Sequence, residues 1–196
     1  MPHTVVGIVG SYRKHGTIDT AVSAVLKAAA ENGATTQKIY LQDHTIEFCT
    51  NCRHCLQVPD RGECPLKDDM AALLDQIEAA DALVLGAPVN FGNVNALTRK
   101  FLERTVCYGY WPWETKAPGM DRKPTKTAVL ITSSAAPGLL ARWLTGAMKA
   151  LKDLARMLGA KPIGTLWLGM IDPKDSGLSQ RQQRQVKQLG RKLAIA

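Results

Sequence analysis

The sequence predicts a doubly wound α/β sandwich built on a five-stranded parallel sheet in the order 2-1-3-4-5. Three observations lead there. Short β-branched and apolar runs alternate five times with helical stripes, which implies parallel strands joined by right-handed crossovers. The runs are apolar throughout, as in a sheet covered on both faces. The chain has 196 residues, 45% of them hydrophobic, which suits one core and a single domain over residues 1–196.

The elements follow in order. Thr4–Val9 is the first strand. Ile18, Ala21, Val22, Val25, Ala28 and Ala29 then repeat at helical spacing until Asn32-Gly33 stops the helix. Thr35–Leu41 is the second strand, and residues 42–66 make a long polar loop. Lys67–Ala79 sets Met70, Leu73, Leu74 and Ile77 on one helix face. Ala82–Ala87 is the third strand, with Pro88 expected to end it. Val94, Leu97, Phe101 and Leu102 mark the next helix. A second long loop, about residues 108–125, holds Tyr108, Tyr110, Trp111 and Trp113. Thr127–Thr132 is the fourth strand. Leu140, Trp143, Leu144, Ala147, Leu151, Leu154 and Leu158 trace one long amphipathic helix, closed by Gly159. Lys161–Leu168 is the fifth strand, and residues 177–194 form the last helix.

Several classes are set aside. The N-terminal apolar run is about six residues long with no basic region before it, so it reads as a strand and not as a signal peptide. No stretch approaches the roughly 18 apolar residues of a membrane span. A cytoplasmic protein without a membrane partner is expected. The net charge is +8, but its cations are dispersed: Arg99, Lys100, Lys116, Arg122, Lys123, Lys126, then Arg181, Arg184, Lys187, Arg191 and Lys192. No nucleic-acid motif accompanies them, and the last five fit a solvated helix face. Four of the five cysteines, Cys49, Cys52, Cys55 and Cys64, fall within sixteen positions, and Cys107 stands alone. Such clustering in a reducing compartment suggests metal or redox chemistry before disulfides.

In a sheet of this order ligands bind beyond the carboxyl ends of the strands, so the segments after the strands matter most. Gly10-Ser11-Tyr12-Arg13-Lys14-His15-Gly16-Thr17 follows strand 1 and enters a helix. Unpaired N–H groups and the helix dipole favour an anion there, hydroxyls of Ser11 and Thr17 can donate, and Arg13 can make a forked contact. A phosphate monoester fits this turn; an ordinary strand-to-helix turn with a Thr cap is the plain alternative. The P-loop pattern and the dinucleotide glycine fingerprint are both missing. Pro88-Val89-Asn90-Phe91-Gly92-Asn93 follows strand 3, with Phe91 offering either a flat ligand surface or a core side chain. Ser133-Ser134-Ala135-Ala136-Pro137-Gly138 follows strand 4, with small side chains that leave room beside the backbone, or simply a helix start with Pro in its first turn. Together the three suggest a phosphate site beside a slot for a flat heterocycle.

GSYRKHG resembles the GSPRKNGNT-type phosphate loop of flavodoxin-like NAD(P)H-dependent FMN reductases. PVNFGN is similar to their PVYFGN segment, and SSAAPG to their third flavin loop. CTNCRHCLQVPDRGECPLKDDM resembles the cysteine-rich stretch of iron-sulfur flavoproteins. The likeness runs from about residue 4 to 170. It implies a flavodoxin-like three-layer sandwich that binds FMN, in a homodimer or homotetramer with flavins near subunit contacts. By position, Ser11, Arg13, Gly16 and Thr17 would hold the phosphate, with Ile18 opening the helix. Pro88, Val89, Asn90, Phe91 and Asn93 would border the isoalloxazine, and Ser134, Ala135, Ala136, Pro137 and Gly138 would close its other side. Tyr12 replaces the usual proline, Thr17 and Ile18 replace Asn-Thr, and Asn90 replaces an aromatic residue.

The cysteine spacing is C-x2-C-x2-C-x8-C. Four convergent thiolates suit a 4Fe-4S cluster or a tetrahedral zinc ion, and free thiols are the third reading. His54 is a substitute ligand or an exposed residue, Cys107 a packed one, and Asp68 and Asp69 helix-starting charges. Because the flavin carries the redox chemistry, no catalytic side chain is expected. The expected activity is oxidation of NAD(P)H, with hydride passing to flavin N5 and electrons leaving to a small acceptor such as a quinone or free flavin. With a cluster, electrons would also pass singly to a partner such as ferredoxin; a flavin- or zinc-binding module without turnover is the alternative from another class. The aromatic loop Tyr108–Trp113 would wall the site, pack at a subunit interface or anchor its own loop.

Overall fold

The computed structural model describes residues 3–119, 123–172, 174 and 176–195, with the side chains of Leu139 and Leu140 left aside. Arg122 and the side chain of Leu140, both singled out above, lie outside the described residues. The strands are β1 (Thr4–Val9), β2 (Thr35–Tyr40), β3 (Ala82–Asn90), β4 (Asn93–Val94), β5 (Lys126–Ser133) and β6 (Ala160–Leu168). The helices are α1 (Thr17–Ala30), α2 (Met70–Glu78), α3 (Ala96–Arg104), α4 (Gly138–Leu144), α5 (Ala147–Met157) and α6 (Gln180–Ala194). Five strands run parallel in the order β2-β1-β3-β5-β6, the predicted 2-1-3-4-5 once β4 is set apart, and β4 pairs antiparallel with the end of β3. This is the flavodoxin-like winding, with its switch point between β1 and β3.

Alternation along the central strands divides the core into two layers. Val6, Ile8, Leu83, Leu85, Ala128 and Leu130 face α2, α3 and α5. Val5, Val9, Val84, Val129 and Ile131 face α1 and α6. The cationic last helix is not polar all round. It buries Val186, Leu189, Gly190 and Leu193 and keeps Arg181, Arg184, Lys187, Arg191 and Lys192 exposed, so its charge is the solvent face of an amphipathic helix.

Two expectations need correction. Pro88 does not end the third strand: β3 continues to Asn90, with Pro88 in register with Ser133. A proline is tolerated at the tip of a strand, where its missing N–H leaves no ladder bond unmade. Val94, expected in a helix, therefore belongs to β4. Nor is there one long helix from 140 to 158. Thr145 is extended (φ −126°, ψ 149°), and Gly146 donates its N–H to the Gly92 carbonyl at 2.7 Å. The helix breaks where the β3–β4 hairpin docks, at a Thr-Gly pair of low helix propensity. Trp143 and Leu144, read as part of the buried stripe, are 84% and 76% exposed.

Candidate functional site

The turn after β1 is held from three sides. Gly10 donates to the Gly86 carbonyl at 2.7 Å, and a Cβ on Gly10 would stand 2.1 Å from Thr98 Oγ1, so only glycine fits. Thr98 Oγ1, on α3, lies 3.0 Å from the Gly10 carbonyl and 2.7 Å from Asn95 Oδ1. Tyr12 reaches the same helix, its hydroxyl accepting the Leu97 N–H at 3.1 Å. Asp19 accepts the His15 N–H at 2.7 Å, holding His15 in a left-handed conformation (φ 60°). The N-cap of α1 is Gly16, with no side chain capping it, so the Thr cap of the plain alternative is absent and Thr17 is the first helical residue. Ser11 is buried, its Oγ accepting the Arg13 N–H at 3.1 Å, while Arg13 and Lys14 are exposed. The helix start is thus without a side-chain cap, Gly16 and Ile18 buried and Thr17 half-buried, and the turn before it carries the Ser11 hydroxyl and Arg13, residue types that suit a phosphate.

Asp19 is a buried carboxylate in this helix turn, 3% exposed and 2.8 Å from Lys38 Nζ. Burial pushes its pKa up, but the hydrogen bonds from Lys38, the His15 N–H and the Tyr40 hydroxyl outweigh this and leave it below its ordinary value. The fixed cation of Lys38 keeps that carboxylate from repelling an anion at the turn.

The segment after β3 is a two-residue hairpin. Phe91 (φ 46°) and Gly92 (φ 75°) both take positive φ, the type I′ geometry that matches strand twist and favours glycine at its second position. Phe91 is fully exposed, which removes the core reading. Pro88 and Val89 are half-buried; Asn90 and Asn93 are exposed. After β5, Ser133 and Ser134 are buried, Ala135, Ala136 and Pro137 are exposed and Gly138 is half-buried. The turn after β6 braces this segment: Met170 donates to the Ala136 carbonyl at 3.1 Å and Ser134 to the Leu168 carbonyl at 2.9 Å. The three predicted loops therefore share one edge of the sheet. Asn95, not anticipated, is buried beside them, and its Nδ2 has no hydrogen-bond partner among the described groups.

The cysteines converge further than their spacing showed. Cys49, Cys52, Cys55, Cys64 and also Cys107 line one small chamber, with Arg53, Arg104, Leu56, Leu66 and Val106 and no carboxylate in its wall. Burial and the neighbouring Cys64, Cys49 and Cys52 push the Cys55 thiol up to about 11. Burial and Cys55 push Cys107 up to about 12. Cys107 is thus a fifth thiol of the chamber and not merely a packed residue. His54 is exposed and not part of the wall.

The chamber is fixed by contacts distant in sequence. Asp68 starts no helix by charge alone: it is paired with Arg104, both side chains 2% exposed or less, and accepts the Glu47 N–H at 2.7 Å. This pairing holds the Asp68 carboxyl below its ordinary range against the burial that raises it. Asp69 accepts the Thr45 N–H at 2.8 Å. The aromatic loop lies over the cysteine loop. The Arg53 guanidinium stands 3.9 Å from the Trp111 ring centre and 4.7 Å from that of Trp113, and donates to the Trp111 carbonyl at 2.9 Å. Asn51, Arg53 and Asp60 all take positive φ, a conformation that non-glycine residues hold only where surroundings enforce it. Every described non-glycine residue with positive φ lies in these loops or in the turn after β6: His15, Asn51, Arg53, Asp60, Phe91 and Met170.

The chain matches the family model of the NADPH-dependent FMN reductases over residues 3–171. It is 31% identical over 192 residues to an iron-sulfur flavoprotein of Archaeoglobus fulgidus, covering 97% of this chain and 79% of that one. Likeness to an iron-sulfur flavoprotein of Methanocaldococcus jannaschii is 37% over 101 residues, 52% of this chain and 51% of the relative. In three dimensions it is similar to an NAD(P)H:quinone oxidoreductase from Methanothermobacter marburgensis, with a TM-score of 0.71, 18% identity, and 98% and 100% of the two chains covered. The winding order agrees with these likenesses, and the chain belongs to the NADPH-dependent FMN reductase family, as an oxidoreductase whose cofactor is FMN.

Proposed function

We propose that this chain oxidises NAD(P)H and passes the electrons through FMN to a small acceptor of the quinone or free-flavin class. The observation that carries the reading is the start of α1, which no side chain caps and which Ser11, Arg13 and Thr17 flank in the chain, on the edge it shares with the two later loops. When bound, FMN supplies the redox chemistry, taking electrons in pairs and releasing them in pairs or singly. The residues bind and orient it. Backbone N–H groups of Thr17 and Ile18, with Gly16, Ser11 and Arg13 around them, would hold the phosphate. Pro88, Val89, Asn90, Phe91 and Asn93 would border one side of the ring. Ser134, Ala135, Ala136, Pro137 and Gly138 would border the other. No side chain needs to move a proton in this scheme.

A 4Fe-4S cluster on four of the chamber thiols is part of the same reading. The wall suits an anionic group: thiols, two arginines and no carboxylate. With a cluster the chain can also hand single electrons to a ferredoxin-like partner. Reduced thiols fit a cytoplasmic setting, and among the described residues no helix is long and apolar enough to cross a membrane. The exposed Tyr12, Phe91, Trp143, Leu144 and Met170 fit burial against a second copy in a homodimer or homotetramer.

The test is a visible spectrum and metal assay of anaerobically prepared protein, followed by NAD(P)H oxidation with a quinone. FMN with turnover is expected, together with a broad brown shoulder that bleaches on reduction. FMN without turnover would leave a binding module, and stoichiometric zinc without iron would remove the cluster.

A further inference from the structure

We infer that Arg104 raises the reduction potential of the cluster held by the cysteine chamber, acting through Cys64; the inference rests on the cluster reading above. Arg104 ends α3, outside the cysteine stretch. Its side chain is 2% exposed and that of Asp68 1%. Nη1 pairs with Asp68 Oδ2 and donates to the Glu47 carbonyl at 2.9 Å. Nη2 lies 3.2 Å from Asp68 Oδ1 and 3.5 Å from Cys64 Sγ. The remaining capacity of Asp68 goes to the N–H groups of Glu47, at 2.7 Å, and Met70, at 3.1 Å. The guanidinium thus joins the entry and exit of the cysteine loop and turns one donor toward a sulfur.

Stapling a loop does not require this chemistry. Taking a guanidinium and a carboxylate out of water is costly, and apolar residues of similar volume often hold a core as well or better. An N–H directed at sulfur gains most when that sulfur is anionic, as a cluster thiolate is. A cluster held on these thiols would be reduced by one electron, which reduced flavin would supply, and no bond would be made or broken. The added negative charge is stabilised by a fixed cation and an N–H···S bond in a buried setting, so both favour the reduced form. Arg104 touches the ligand and not the iron, which makes it a positioning residue.

The test uses the full chain, reconstituted anaerobically with ferrous iron and sulfide, as wild type, Arg104→Lys and the neutral pair Arg104→Gln/Asp68→Asn. Iron and FMN contents are measured first. The cluster is then titrated under electron paramagnetic resonance, with the FMN potential as internal reference. Expected are unchanged iron and FMN, with the reduced fraction falling about tenfold at a fixed potential in the neutral pair, ~59 mV for one electron. A smaller shift in the same direction is expected in Arg104→Lys, which keeps the charge and loses the fork. Potentials unchanged in both variants overturn the inference and leave the cluster reading standing. Clusters lost from both while FMN stays bound reduce Arg104 to a staple and also overturn it. Wild type that takes up no iron removes the cluster reading itself, and this inference with it.

Discussion

The edge proposed to hold the flavin and the cysteine chamber occupy loops of one sheet but are built in opposite ways. The edge is made mainly of backbone: the uncapped start of α1, a positive-φ hairpin at Phe91-Gly92 and a small-residue turn at 134–138. Its side chains mostly face solvent. The chamber is made of side chains from separate segments: Arg104 of α3 on Asp68 and Cys64, Arg53 between Trp111 and Trp113, and Cys107 beside Cys55. Backbone sites tolerate changes around them as long as the turn survives. A site made of long-range pairs fails when one partner goes.

The largest effect expected from this contrast is in the chamber. Arg104→Leu strands the Asp68 carboxylate in the interior and lowers stability by roughly 3–5 kcal/mol in urea unfolding. Arg104→Leu/Asp68→Leu recovers most of that loss; a double variant as unstable as the single one would mean the ion pair is not the origin. At the edge, Gly10→Val drives a side chain into Thr98 and the Gly86 carbonyl. It should cost about 1–3 kcal/mol by overpacking and abolish FMN retention on gel filtration. Normal yellow protein would show that the turn is looser than described.

Arg13→Ala sits next in size. The fold should be unaffected, with FMN affinity falling about tenfold or more by fluorescence titration, as expected for one charge-assisted contact. Acid offers a comparison without mutation. Asp19 and Asp68 are both held below the ordinary carboxylate range by their cationic partners. Their stabilisation is complete above the unfolded value near 3.8 and fades as the pH falls through it toward the lower native values. Asp19→Asn should flatten that part of the stability profile, measured by thermal unfolding between pH 5 and pH 3; an unchanged slope would exclude Asp19 as a contributor. The smallest effect belongs to Phe91→Ala. A fully exposed ring should alter monomer stability by no more than about 0.5 kcal/mol, while the self-association proposed above, followed by light scattering, should weaken.

The same contrast explains what the sequence disclosed. Winding order and the three edge loops were legible because they depend on local chemistry: apolar runs, glycine, proline and hydroxyls at the ends of strands. Cys49, Cys52, Cys55 and Cys64 were legible by spacing. Arg104, Arg53 and Cys107 were not, because nothing near them in the chain signals a partner; Arg104 and Cys64 are 40 residues apart. A basic residue ending an apolar helix stripe was the only available hint. Asp19 looked like an ordinary first-turn acid, and its link to Lys38 and Tyr40 exists only once β2 lies beside α1. The helix break at Thr145-Gly146 was hidden for a similar reason, since the apolar spacing runs across it and the cause is the docked hairpin.

The central claim is that the turn from Gly10 to Thr17 holds the phosphate of the flavin. Stripping the protein of flavin and titrating it with FMN and with riboflavin, by fluorescence quenching, tests this most directly. FMN should bind one to one and at least about tenfold more tightly than riboflavin, with Arg13→Ala erasing most of the preference. Equal affinity for the two flavins, or no binding of either, would contradict the account.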